Sequence, residues 1–96
     1  MKVFVTGCSG FIGFHLCQAL LDNGCQILGL DNMNNYYDIE LKKKRLDRLL
    51  SHKNASNFNF VKEDLQNLDK LVDIFAKNKF DIVINLAAQA LSLIHI

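Results

Sequence analysis

The chain has 96 residues, half of them hydrophobic, and a formal net charge of +1. That length holds one small domain. A charge so near zero gives no general attraction to nucleic acid or acidic membrane, and no apolar run approaches the roughly 20 residues of a membrane span.

Residues 2–6, Lys-Val-Phe-Val-Thr, read as a buried strand. A strand at this position, broken by glycines soon after, is no secretory signal, and a cytoplasmic location is expected. The turn Gly7-Cys-Ser-Gly-Phe-Ile-Gly13 follows. Residues 11–23 read as a helix with Ile12, Leu16, Ala19 and Leu20 on its apolar face, ended by Asn23-Gly24. Residues 25–30 form a second strand, followed by a polar loop over 31–38. Residues 39–51 read as a charged helix with a stripe of Leu41, Leu46, Leu49 and Leu50. The run 51–57 is a second loop, and its Asn54-Ala-Ser match to the N-glycosylation pattern is read as loop composition. Residues 58–62 form a third strand. Asn67 is a candidate N-cap for a helix over 68–78 with Leu68, Leu71, Val72 and Phe75 on one face. Residues 80–87 are a fourth strand.

Strands that are apolar on both faces and separated by helices imply a parallel sheet covered on both sides. Right-handed crossovers place them in the order 3-2-1-4. The expected fold class is therefore α/β: the N-terminal part of a Rossmann-type doubly wound parallel sheet, truncated after its fourth strand.

A pyrophosphate needs its charge met without a bulky side chain in the way. A helix N-terminus supplies free N–H groups and the positive end of the helix dipole. In the spacing G-x-x-G-x-x-G, Gly7 turns the chain off the strand, Gly10 lets backbone approach phosphate, and Gly13 lets the helix pack closely on the strand. A merely flexible turn is the alternative, but the strand-to-helix context favours nucleotide binding. Asp31 ends the second strand, 18 residues after Gly13. A carboxylate there accepts from both hydroxyls of an adenosine ribose and repels a 2′-phosphate, which favours NAD over NADP. No arginine follows it directly. Its alternative is an Asx-turn in a loop.

Asp64 follows the third strand, beside the expected adenine pocket. It either accepts from the adenine amino group or is a solvated residue ahead of a helix. Leu86-Ala-Ala-Gln89 ends the fourth strand, where small residues either admit a flat ligand or simply pack. The basic run Lys42-Lys-Lys-Arg45, with Arg48, shares its helix with a leucine stripe and reads as a solvated face rather than a nucleic-acid patch. Tyr36 and Tyr37 could serve the core, the loop or a sugar. Cys8, Cys17 and Cys25 form no C-x-x-C pair and read as reduced thiols. Cys8, in the glycine turn, is either a reactive thiol near a helix N-terminus or a small residue filling a loop. His15 and His52 have no ligand-spaced partners, so no metal site is expected.

Taken together, Thr6-Gly-Cys-Ser-Gly-Phe-Ile-Gly13, Asp31-Asn32, Glu63-Asp-Leu65 and Leu86-Ala-Ala-Gln89 resemble the N-terminal part of the extended short-chain dehydrogenases/reductases, the NAD-dependent epimerase/dehydratase family. The loop Asp31-Asn-Met-Asn-Asn-Tyr-Tyr-Asp38, with Leu41-Lys42 and Arg45-Leu46, is similar to UDP-glucuronate 4-epimerases. The resemblance covers residues 1–90. It implies that Gly7, Gly10, Phe11, Ile12 and Gly13 hold the pyrophosphate of NAD. Asp31, Asn32 and Asn35 would surround the ribose, Asp64 and Leu65 the adenine, and Ala87, Ala88 and Gln89 the nicotinamide side. It further implies that a full-length protein is a homodimer that inverts C4 of a UDP-sugar, UDP-glucuronate, by transient oxidation to a 4-keto sugar.

The catalytic Tyr-x-x-x-Lys pair and the Ser or Thr of such enzymes are not found in this chain. Tyr36-Tyr-Asp-Ile-Glu40 has no lysine at the required place and lies in the wrong element. The 96 residues alone are therefore expected to be inactive, a cofactor-binding fragment without catalytic residues. A nucleotide-sugar 4,6-dehydratase, or a non-catalytic NAD-binding module, would carry the same NAD motifs. After Ala90 the family pattern would continue with a glycine and a polar loop, whereas this chain reads Leu91-Ser-Leu-Ile-His-Ile96. One reverse translation of that hexapeptide looks like the transposon-end adapter used for sequencing libraries. Residues 1–90 are thus expected to be a partial NAD-binding Rossmann domain, and 91–96 a non-native tail.

Overall fold

A computed structural model describes residues 1–33 and 39–86. The expected tail at 91–96 lies outside them, as do Tyr36 and Tyr37. Strands β1 (Lys2–Thr6), β2 (Gln26–Asp31), β3 (Phe58–Lys62) and β4 (Ile82–Asn85) alternate with helices α1 (Phe11–Asp22), α2 (Ile39–Leu50) and α3 (Leu68–Lys77). All pairings are parallel, and the order is β3-β2-β1-β4 as expected. Val3 lies in register between Ile27 and Ile82, and Val5 between Gly29 and Ile84.

The strand order sets where the helices go. The chain steps outward from β1 to β2 to β3, then returns past β1 to β4. Right-handed crossovers put α1 and α2 on one face and α3 on the other. One core accordingly joins Val3, Val5, Ile27 and Phe58 of the sheet to Phe14, Cys17 and Leu21 of α1 and Leu49 of α2. The second joins Phe4 and Leu30 to Ile74, with Leu71 and Phe80 packed beside them. The Phe4 ring stacks 5.1 Å from Phe80 and meets Phe75 edge-on at 5.4 Å. Lys2 pins the start of β1 to the α3–β4 connection, since its backbone N–H donates to Asp81 Oδ2 at 2.7 Å and its Nζ to Asn78 Oδ1 at 2.6 Å.

Three helix faces differ from expectation. On α1 the buried residues are Gly13, Phe14, Cys17 and Leu21, whereas Ile12 is 51% exposed and Ala19 is also exposed. Gly13 touches the turn after β1, so the line Gly13-Cys17-Leu21, at i, i+4, i+8, faces the sheet. Glycine and cysteine hide that line from a search for large apolar residues. On α3, Ile74 is buried and Leu71 half-buried, while Leu68 and Val72 are exposed and Phe75 is 47% exposed. The helix sits over Phe4 and Leu30 and presents only one edge of a wide apolar face. Leu41 and Leu50 of α2 are likewise exposed, and Leu46 and Leu49 make its contact. Asn67 caps α3, accepting the Lys70 N–H at 3.2 Å. The loop after α2 contains a 3-10 turn at Ala55–Asn57 and is tied to the end of α1. There His52 Nε2 lies 2.7 Å from Asp22 Oδ1, and Asn54 Nδ2 donates to Leu21 O at 2.7 Å.

Candidate functional site

The site forms at the C-terminal ends of β1 and β2, where open α/β sheets bind ligands. Gly7 leaves β1 with φ +72°, a conformation glycine adopts without strain. Its N–H donates to Leu30 O at 2.7 Å, so the turn is fastened to the end of β2. Gly10 is the N-cap of α1, and no side chain caps the helix. The first helical bond runs from Phe14 N–H to Gly10 O at 2.9 Å, leaving the earlier amides without helical acceptors. No acidic residue occupies the first turn of α1. The helix start thus offers positive dipole and N–H donors with no carboxylate competing for them. A Cβ on Gly13 would lie 2.1 Å from Gly7 O, which confirms the close helix–strand contact expected of this glycine. Phe11 and Ile12 flank the turn and are exposed.

Asp31 stands at the end of β2 and is 2% exposed. Its Oδ2 accepts the Ser9 N–H from the glycine turn at 3.1 Å, and its Oδ1 accepts the Met33 N–H at 2.8 Å. The carboxylate therefore faces the glycine turn across the β1–β2 seam. The Met33 bond resembles an Asx-turn, the alternative reading of Asp31. Met33 adopts φ +59°, a left-handed conformation uncommon for its residue type. Nothing in the sequence signals it.

The basic run needs correction. Lys43, Lys44 and Arg48 are exposed as expected, but Lys42 and Arg45 turn inward. Lys42 Nζ lies 2.9 Å from Asp31 Oδ1. Arg45 Nη1 donates to Ser9 O at 3.3 Å, and its guanidinium carbon sits 5.7 Å from the centre of the Phe11 ring. The signal was available: Lys42, Arg45, Leu46 and Leu49 share one helical face.

Asn32, beside Asp31, is exposed. Asp64 is exposed too, and its Oδ1 accepts the Gln66 N–H at 2.9 Å, an Asx-turn leading into α3. Leu65 packs on the second core. The Glu63 N–H donates to Asp31 O at 3.2 Å, which brings the 63–65 loop alongside the aspartate. Asn35, Ala87, Ala88 and Gln89 lie outside the described residues. At the end of β4, Leu86 N–H donates to Thr6 O at 3.1 Å. A polar hollow lined by Lys2, Gln26, Ser56, Asn57, Asn59 and Asn78 lies at the opposite ends of the strands, away from the glycine turn.

Cys8 is fully buried in the turn. Burial pushes its thiol far above the ordinary range, and the nearby Cys17 and Asp31 push the same way. Burial likewise raises Cys17 from 9.0 to about 12. This favours the packing reading of Cys8 over the reactive one. Native protein treated with iodoacetamide at neutral pH is expected to label at the half-buried Cys25, with Cys8 and Cys17 labelling only on unfolding; fast labelling of Cys8, seen by mass spectrometry, would contradict this. The folded state keeps protons that the unfolded chain releases, so stability falls as pH rises from about 9 toward 12.

Among the described residues no group of His, Cys, Asp and Glu could hold a metal, and no helix is long and apolar enough to cross a membrane. The strand order and the strand-to-helix glycine turn define a Rossmann-type α/β unit. The chain belongs to the GDP-mannose 4,6 dehydratase family, whose model matches residues 4–94. It is 43% identical over 86 residues to a UDP-glucuronate 4-epimerase of Thermodesulfobacterium geofontis, covering 90% of this chain and 26% of the relative. It is 41% identical over 90 residues to UDP-glucuronate 4-epimerase 2 of Arabidopsis thaliana, covering 94% of this chain and 20% of that one. The structure superposes on UDP-glucuronic acid 4-epimerase of Bacillus cereus, crystallised with NAD and a fluorinated UDP-glucuronic acid. There the TM-score is 0.73 and the identity 37%, over 90% of this chain and 26% of that one. A UDP-glucose 4-epimerase of Thermotoga maritima, with UDP-glucose, gives a TM-score of 0.71 at 29% identity, over 94% of this chain and 25% of that one. The chain spans about a quarter of the length of the relatives it matches.

Proposed function

We propose that residues 1–90 are the NAD-binding part of a nucleotide-sugar epimerase that inverts C4 of a UDP-sugar, UDP-glucuronate. The observation that carries the cofactor reading is the buried Asp31 carboxylate at the end of β2, joined to the glycine turn through Ser9 N–H. The residues fit NAD. The uncapped start of α1 suits a pyrophosphate, with Gly7, Gly10, Phe11, Ile12 and Gly13 beside it. The resemblance assigns Asp31, Asn32 and Asn35 to the ribose, Asp64 and Leu65 to the adenine, and Ala87, Ala88 and Gln89 to the nicotinamide side. When bound, NAD supplies a hydride acceptor and donor for the sugar carbon. The work of this chain is to hold and orient it; the acid–base groups lie in further sequence, and residues 1–96 alone give no turnover. The sugar reading rests on the similarity to UDP-glucuronate 4-epimerases. A 4,6-dehydratase is the second reading, favoured by the description of the matching family.

The test has two arms in a full-length protein carrying this segment. Asp31→Ala is expected to weaken NAD binding by about 1–3 kcal/mol, the scale for leaving polar partners unpaired; unchanged affinity by calorimetry counts against the ribose assignment. Incubation with UDP-glucuronate is expected to give the 4-epimer, whereas a 4-keto-6-deoxy product from a nucleotide hexose would establish the dehydratase.

A further inference from the structure

Arg45 reaches the glycine turn from a different element. It lies on α2, 36 residues from Ser9, and its Nη1–H donates to Ser9 O at 3.3 Å. Ser9 directly precedes Gly10, the N-cap of α1. The Ser9 N–H is taken by Asp31 Oδ2 at 3.1 Å, and the Gly10 N–H by Gly7 O at 3.1 Å. A peptide is planar with its C=O and N–H on opposite sides. Holding the Ser9 carbonyl therefore also holds the direction of the Gly10 amide. The same guanidinium lies 5.7 Å from the centre of the Phe11 ring, within cation–π range. His15 meets that ring edge-on at 4.7 Å. Phe11 is 64% exposed, so these two side chains orient a ring that the core does not cover.

A phosphate at the start of α1 needs N–H groups turned toward it. A carbonyl oxygen left bare beside them would oppose it with partial negative charge. Arg45 covers the Ser9 oxygen with one of the five donors of a guanidinium. Among the described residues no carboxylate pairs with Arg45, so its charge adds to the positive end of the α1 dipole instead of being cancelled. We infer that Arg45 is a positioning residue of the pyrophosphate site: through Ser9 O and the Phe11 ring it sets the glycine turn in the form that receives the phosphates, and it lends that end of the site a positive charge. The inference rests on the placement of the pyrophosphate at this turn under Proposed function.

A structural tie between α2 and the turn is the other role open to Arg45. That role would alter stability and leave the surroundings of bound phosphate as they are. Phosphorus NMR of NAD bound at saturation separates the two, because the resonances report the environment of the pyrophosphate and not the amount bound. The comparison is made in a full-length protein carrying this segment, with NAD affinity measured alongside by calorimetry. Arg45→Met is expected to weaken NAD about tenfold, the scale of one lost hydrogen bond to a charged group, and to move the bound phosphorus resonances. Arg45→Gln, polar but uncharged, is expected to do the same and takes its place should the methionine variant not fold. Arg45→Lys keeps a cationic donor and is expected to hold the affinity within about threefold. Wild-type affinity or unmoved resonances in a folded Arg45→Met or Arg45→Gln protein would overturn the inference, as would an Arg45→Lys protein as weak as Arg45→Met. If Gly10→Val loses NAD while the Arg45 variants keep wild-type resonances, the pyrophosphate assignment survives and the role of Arg45 does not. If Gly10→Val binds NAD at wild-type affinity, the assignment and the inference fall together.

Discussion

Gly13→Ala is expected to abolish the cooperative thermal transition of the protein. The added Cβ would lie 2.1 Å from Gly7 O, 2.9 Å from Gly7 C and 3.0 Å from the Cys8 Cα. All three are backbone atoms, and the position of a Cβ is fixed by its own backbone, so no rotamer relieves the clash. Either α1 lifts off the sheet or the turn after β1 moves. Lifting α1 opens the core where Phe14, Cys17 and Leu21 meet Val3, Val5 and Ile27. Moving the turn breaks the Gly7 N–H and Cys8 N–H bonds to Leu30 O. Overpacking of this severity costs about 3 kcal/mol or more, a large share of what a small domain has. Circular dichroism during heating is the measurement, and a melt within a few degrees of the wild type would show that α1 does not sit on this glycine.

That contact was legible because its cause is local: three glycines at fixed spacing between a strand and a helix. The strand order was legible for a more global reason. Runs such as Val3-Phe4-Val5 bury both faces, parallel neighbours need crossovers, and crossovers have one hand. Asp31 followed from its position at a strand end. What the sequence concealed depends on how helices rotate about their axes. On α1 the packed line is Gly13-Cys17-Leu21, two of whose members a count of large apolar side chains ranks poorly; on α3 it is Leu71-Ile74, one edge of a wider apolar face.

Lys42 and Arg45 were hidden inside a run of four basic residues, of which Lys43 and Lys44 are exposed as composition suggests. Helical spacing separates the members of that run, since Lys42 and Arg45 share a face with Leu46 and Leu49. Met33 gave no signal: a left-handed backbone is uncommon for its residue type. The exposed flank of α3, including Leu68 and Val72, was legible as apolar but not as uncovered. Hydrophobicity records a preference for burial, not the partner that satisfies it.

Gly10→Val separates binding from folding, which Gly13→Ala cannot do. Gly10 has φ −71° and ψ 171°, extended backbone open to any residue. A Cβ there would meet only Gly7 O, at 3.3 Å, a tight contact that a few tenths of an ångström relieve. The fold is therefore expected to survive with its helical signal nearly intact. The branched side chain, however, would stand at the start of α1, over the amides that a pyrophosphate needs. Close approach of backbone to phosphate is what the glycine permits; displacing the ligand forfeits several N–H bonds to an anion, each worth about 1.5–3 kcal/mol. NAD binding by a full-length protein carrying this change is expected to fall by at least about a hundredfold, with a circular dichroism spectrum close to that of the wild type. Calorimetry decides it. Wild-type affinity in a folded Gly10→Val protein would mean that the pyrophosphate does not lie on this turn, and the assignment of Gly7, Phe11 and Ile12 to it would fall as well.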